Sequence, residues 1–257
     1  MTELLRVDGV SKHFGGLKAV QDVSFSVGEG EIFSVIGPNG AGKTTLFNVI
    51  SAVSRASAGR VMFKDQELTR CRTSDLAQIG VSRTFQNLAL FHSEPTIDNV
   101  LVGLHSTLRG TVFECAFYWG RVREEEIRAR RRVEDILRFL RLEHVRDVPV
   151  GTLAYGVQKR VELARAMAAQ PKLLLLDEMV SGMNQEERED IARFVLDLRD
   201  EFGVTVLMIE HDMGIIMDLS DRVAVMHQGR LIACDRPEAI ATDPQVIEAY
   251  LGRRRGA

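Results

Sequence analysis

The stretch Gly37-Pro38-Asn39-Gly40-Ala41-Gly42-Lys43-Thr44-Thr45 satisfies G-x-x-x-x-G-K-[ST] at every fixed position, and no other feature of the chain narrows its fold so far. Its surroundings agree. Glu31-Ile32-Phe33-Ser34-Val35-Ile36 is a short apolar run suited to a buried parallel strand, and Thr45-Leu46-Phe47-Asn48-Val49-Ile50 opens a helix. Strand, glycine turn and helix in that order predict a phosphate-binding loop and a bound nucleotide. The glycines let the backbone turn tightly and point successive N–H groups inward, so an anionic phosphate sits among donors at the positive end of the helix. Lys43 adds a full charge near the β- and γ-phosphates, and the Thr44 hydroxyl is placed to ligate a bridging magnesium ion.

With 257 residues, 45% of them hydrophobic and 27% charged, the chain suits one large globular domain or a core carrying a lobe. Its three cysteines, Cys71, Cys115 and Cys234, are odd in number and share no CxxC spacing, which favours a reduced compartment such as the cytoplasm. The start Met1-Thr2-Glu3 has no basic, apolar signal segment, and the longest unbroken apolar run, Cys115 to Trp119, is too short to span a membrane. A net charge of −3 gives no overall attraction to nucleic acid or anionic lipid. The basic clusters at Arg128 to Arg132 and Arg253 to Arg255 read as solvated surface.

Residues 4–10 and 20–27 carry strand-like apolar positions either side of a turn at Gly15-Gly16, which predicts a small antiparallel sheet feeding the core. Phe14, just before that turn, is either a core residue or an exposed aromatic face on which an adenine ring stacks. Arg60 to Phe63 reads as a strand, Ser74 to Ile79 as a short helix, and Gly80 to Phe85 as a strand ending at Gln86, which starts a loop. From about 87 to 156 helical patterns take over. Val133, Ile136, Leu137 and Leu140 recur at i, i+3, i+4, i+7 as one apolar stripe, and Glu124, Glu125, Arg128, Arg131, Arg132 and Arg138 fill the wet face. Phe113, Phe117, Tyr118 and Trp119 cluster upstream, for packing in this lobe or for docking to a partner.

The core resumes at Leu173-Leu174-Leu175-Leu176-Asp177-Glu178, an apolar strand with two carboxylates at its carboxyl end, where open parallel sheets bind ligands. Asp177 suits a magnesium ion, directly or through water, and Glu178 suits the polarisation of an attacking water. Val204 to Ile209 repeats the buried-strand pattern and ends in Glu210-His211-Asp212; His211 there either meets the γ-phosphate or is solvated. Arg222 to Met226 and Arg230 to Ala233 predict a hairpin around Gln228-Gly229, and Pro237 onward a short helical tail.

Leu153-Ala154-Tyr155-Gly156-Val157-Gln158-Lys159-Arg160, about twenty residues before the acidic strand, resembles the signature segment of ABC-type ATPases. The resemblance covers nearly the whole chain. It implies an α/β fold, a P-loop NTPase (RecA-like) core with an N-terminal antiparallel β subdomain and an inserted α-helical subdomain. The expected division is one ABC ATPase domain over 1–257: a nucleotide-binding core at 1–86 and 157–235, a helical lobe at 87–156 and a tail at 236–257. It further implies ATP and Mg2+ as cofactors, Phe14 as the adenine-stacking aromatic, Gln86 as the loop residue linking metal and lobe, Glu178 as general base and His211 as γ-phosphate switch. The contacts expected for the nucleotide are then Phe14, Asn39, Gly40, Ala41, Gly42, Lys43, Thr44, Thr45 and Gln86, with Ala154, Tyr155 and Gly156 reaching a facing subunit; Thr44, Gln86 and Asp177 serve the metal.

Phe14 to Val20, Arg83-Thr84-Phe85-Gln86-Asn87, Ile209 to Met213 and Ala249 to Gly252 are similar to the LivG-type ATPase subunits of branched-chain amino-acid importers. That implies a second ATPase subunit in a homo- or heterodimer, permease subunits, an indirect extracytoplasmic binding protein and a peripheral place on the cytoplasmic face of the membrane. Four positions depart from the usual ABC pattern: Ala154, Val157, Met179 in place of a proline after the base, and Asn184 in place of an aspartate. Val157 and Met179 leave room for a second function, an ATP-dependent clamp with weak hydrolysis of its own, and a urea or lipid-conjugate transporter is a related alternative. A factor acting on nucleic acid is disfavoured by the single phosphate loop, the single signature and the negative charge.

Overall fold

The computed structural model describes residues 2–84, 88–104 and 121–251, with 121–126 and 251 as backbone only. Gln86, the aromatic cluster Phe113 to Trp119 and the basic Arg253 to Arg255 lie outside them. β1 (Glu3–Phe14) and β2 (Leu17–Gly28) form an antiparallel hairpin about Gly15-Gly16, where Gly15 takes φ 58°. Both strands outrun the apolar stretches at 4–10 and 20–27, because irregularities in their register carry the pairing on past Val10 to the turn. β3 (Ile32–Ile36) enters a second sheet, after which β4 (Ala58–Phe63) and β5 (Gln66–Glu67) return to the far edge of β1. The result is a four-stranded antiparallel sheet in the order β2-β1-β4-β5.

The second sheet adds β6 (Val81–Arg83), β7 (Leu173–Asp177), β8 (Thr205–Ile209), β9 (Arg222–His227) and β10 (Arg230–Asp235), in the order β10-β9-β3-β8-β7-β6. All neighbours pair parallel except β10 with β9. β6 is shorter than the span 80–85 read from the sequence, since Gly80, at φ 92°, caps the helix Leu76–Ile79 instead of extending the strand. Gln228 and Gly229 join β9 to β10 with φ 49° and 79°, the pair of left-handed residues that a tight hairpin turn needs.

The mostly apolar runs of β3, β7 and β8, buried at every residue, follow from burial on both faces. Phe33, Val35, Leu173, Leu175, Leu207 and Ile209 enter a core shared with the antiparallel sheet and the helix Lys43–Ile50. The alternate residues Leu174, Leu176, Val206 and Met208 enter a second core shared with the helices Thr96–Val102, Arg121–Phe139 and Tyr155–Ala168. In the second of these helices Val133, Ile136 and Leu137 are buried, as is Leu140 just beyond its end, while Arg131 and Arg138 are exposed. The helix of the signature segment begins at Tyr155: Ala154 still has extended backbone (ψ 150°), and its carbonyl accepts the first helical bond from Gln158 N–H at 3.0 Å. Short helices at Pro237–Thr242 and Pro244–Leu251 form the anticipated tail.

Leu175 lies at the middle of β7 with no solvent exposure. Leu175→Ala should therefore cost about 2–5 kcal/mol, read from the midpoint of urea denaturation. A loss below about 1 kcal/mol would contradict its place in a close-packed core.

Candidate functional site

The phosphate loop is held open by two backbone approaches that exclude any side chain. A Cβ on Gly37 (φ 148°) would lie 2.1 Å from the Met226 carbonyl oxygen, and one on Gly42 (φ 97°) 2.3 Å from that of Ala19. The loop thus folds between β9 and β2, with Asn39, Gly40 and Thr44 left exposed on its outer side. Lys43, the first residue of the helix, is buried, and its Nζ donates to the Gly37 and Pro38 carbonyls at 2.7 and 3.2 Å. Burial lowers its pKa below the usual lysine value, opposed by the negative charges of Glu178 and Asp177.

A cleft of about 450 Å³ runs over this loop, lined by Asn39 to Thr45 and by Glu178 and His211. Its other wall, Leu17-Lys18-Ala19 with Gln228-Gly229, is absent from the sequence reading. The β9–β10 turn reaches it through Gly229 N–H to the Ala41 carbonyl at 3.0 Å and Gln21 N–H to the Gly229 carbonyl at 2.7 Å. Only the left-handed Gln228-Gly229 pair hinted at it. Phe14 is 53% exposed, so it is no core residue, and Lys12 Nζ sits 4.9 Å from its ring centroid. It does not line the cleft, but it pairs with Leu17, which does. A larger cavity of about 630 Å³, under Arg128 to Phe139, contains none of the motif residues.

The carboxyl ends of β7 and β8 bring the acidic and histidine groups together. Asp177 and Ile209 are register partners, so Glu178 and His211 emerge at neighbouring heights, and His211 Nε2 meets Glu178 Oε1 at 2.7 Å. Glu178 holds φ 51°, a left-handed conformation that costs a non-glycine residue about 1–3 kcal/mol. Asp177 is 1% exposed and binds Arg83 through Oδ2 at 2.7 Å; Arg83 also reaches Asn48 Oδ1 and Ser51 Oγ, tying β6 and β7 to the phosphate-loop helix. Asp177 Oδ1 is buried without a hydrogen-bond donor among the described residues. Such an oxygen suits a cation or a cation-bound water, so the donor set fits magnesium. The role of Arg83 was missed; a basic side chain ending the strand beside an acidic one was the available signal.

Ala154, Tyr155 and Gly156 are not part of this cleft. Tyr155 is 44% exposed, whereas Gly156 is buried, and a Cβ there would lie 2.2 Å from Glu187 Oε1. That carboxylate closes a capping box on the helix Gln185–Phe202: Asn184 Oδ1 accepts from Glu187 N–H at 2.9 Å and Glu187 Oε2 from Asn184 N–H at 3.0 Å. Asn184 therefore caps a helix as an aspartate would, and Met179, 1% exposed, fills the core beside the helical lobe. Val157 packs half-buried against the same core. Gln86 lies outside the described residues.

The profile of the ABC transporter family matches residues 20–181, and that of the branched-chain amino acid ATP-binding cassette transporters matches residues 230–255. The chain is similar to the high-affinity branched-chain amino acid transport ATP-binding proteins BraF of Pseudomonas aeruginosa and LivG of Escherichia coli. Each is 39% identical over 249 residues, covering 97% of this chain and 98% of the relative. Among solved structures, a nucleotide-free ATP-binding cassette from an ABC transporter superposes with a TM-score of 0.85 at 34% identity, over 98% of this chain and 100% of that one. An ADP-bound cassette superposes equally well, with the same TM-score of 0.85. The similarity extends over nearly the whole length of each chain, and the chain belongs to the ABC transporter family as one of its ATP-binding cassettes.

Proposed function

We propose that this cassette is the ATP-hydrolysing subunit of an importer for branched-chain or related amino acids, seated on the cytoplasmic face of a membrane against permease subunits. An extracytoplasmic binding protein would act with it only indirectly. The observation that carries the enzymatic reading is the 2.7 Å contact of Glu178 with His211 in the cleft that also holds Lys43. The substrate class rests on the similarity to BraF and LivG.

In this reading the N–H groups from Asn39 to Thr45 take the phosphate oxygens, Lys43 neutralises the β- and γ-phosphates, and Phe14 offers its exposed face to adenine. Thr44, Gln86 and Asp177 would hold magnesium, and the ion would supply positive charge to neutralise the charge developing on the phosphates. Glu178 takes a proton from water as the water oxygen bonds to the γ-phosphorus and the bond to the β-phosphate oxygen breaks, releasing ADP and phosphate. His211 orients Glu178 and reaches the γ-phosphate. Since Ala154, Tyr155 and Gly156 stand away from their own cleft, they serve the cleft of a second subunit, in a homo- or heterodimer. Residues 1–86 and 157–235 then act as the nucleotide core, 87–156 as the lobe that meets the permeases and 236–257 as a tail.

Glu178→Gln should retain ATP affinity while hydrolysis falls by about 10²–10⁴, whereas Lys43→Ala should lose affinity. Isothermal titration and phosphate release separate the two, and equal loss of ATP binding in both variants would refute the assignment.

The signature gives a second test. A neutral side-chain hydrogen bond contributes about 0.5–1.5 kcal/mol, so Ala154→Ser should change turnover by no more than roughly tenfold. Gly156→Asp should stop hydrolysis yet leave ATP affinity within a few-fold, with an unchanged circular dichroism spectrum showing that the collision with Glu187 is absorbed locally. Full turnover in Gly156→Asp would remove the signature from the mechanism.

A further inference from the structure

Glu210 is a carboxylate that the mechanism above does not use. It is 4% exposed, one residue beyond β8, and burial raises its pKa to about 7, with the charge of Glu178 pushing the same way. A buried carboxylate is costly unless hydrogen-bonded, and here the partner is backbone. Glu210 Oε1 accepts from Val180 N–H at 3.1 Å, and the backbone of Val180, His211 and Met179 acts against the rise in pKa that burial causes. The Val180 donor belongs to the segment that follows Glu178, while Glu210 itself directly precedes His211.

We infer that Glu210 is the positioning residue that fixes Glu178 against His211, by fastening the backbone after β7 to the backbone after β8. Glu178 N–H also bonds the Ile209 carbonyl at 2.9 Å, which sets the height of Glu178, and Glu210 holds the chain beyond it. The left-handed Glu178 backbone is a conformation that needs such outside support.

This rests on the reading of Glu178 as the base, and the test separates the two. Steady-state ATP hydrolysis by the full chain is measured for Glu210→Ala, Glu210→Gln, Glu178→Gln and the double variant Glu178→Gln/Glu210→Ala. Glu210→Ala should lower kcat about ten- to a hundredfold with KM for ATP within threefold, because the cleft that binds the nucleotide is untouched. Glu210→Gln keeps an oxygen acceptor and should recover most of that loss. In the Glu178→Gln background, Glu210→Ala should lower the residual rate less than twofold, since a residue acting through the base has nothing left to position. Parent-like kcat in Glu210→Ala, an equal loss in Glu210→Gln, or a full further loss in the double variant would each overturn the positioning role. A parent-like rate in Glu178→Gln would overturn the base assignment and this inference with it.

Discussion

The levelling of three parallel strand ends is the constraint on which the site depends. Ile209 of β8 is the register partner of both Val35 in β3 and Asp177 in β7, so Gly37, Glu178 and His211 leave the sheet at adjacent heights. Since β8 lies between β3 and β7, its end projects between the phosphate loop and the acidic strand. A slip of one residue in either pairing would exchange the two buried faces of a strand, and each of those faces fills a separate core. Packing of leucines and valines thereby fixes distances between polar groups they never touch.

Charge at the sheet edge is arranged by the same logic. Lys43 is buried against two carbonyls, Asp177 against Arg83, and Glu210 against the Val180 N–H, so that each group has a partner although little water reaches it. The exception is Asp177 Oδ1, which lacks a donor among the described residues and is the oxygen that the proposed magnesium would satisfy. The carboxylates also act on the lysine: Glu178 and Asp177 favour the charged form of Lys43 against the effect of its burial.

Local features were legible in the sequence, and long-range ones were not. Gly37 to Thr45, Leu173 to Glu178 and Ile209 to His211 each carry their geometry within a few residues, as strand, turn and helix start, and so could be read directly. The wall made by Leu17 to Ala19 and Gln228-Gly229 could not, because it exists only where a hairpin some two hundred residues away closes on β2. Arg83 and Glu210 escaped for a related reason: their types were visible, but their partners sit on distant segments of the chain. Asn184 and Met179, departures when compared with a pattern, have ordinary physical uses as a helix cap and a core residue.

On the proposed reading one chain holds a cleft it cannot complete, since none of Ala154, Tyr155 and Gly156 lines it. The direct measurement is ATP hydrolysis per subunit as the purified chain is diluted, with association followed by sedimentation on the same samples. The account predicts a low rate that climbs with protein concentration, in step with the associated fraction, and climbs further when permeases and a second ATPase subunit are added. A rate per subunit that stays high and constant down to concentrations where only monomer sediments would contradict it.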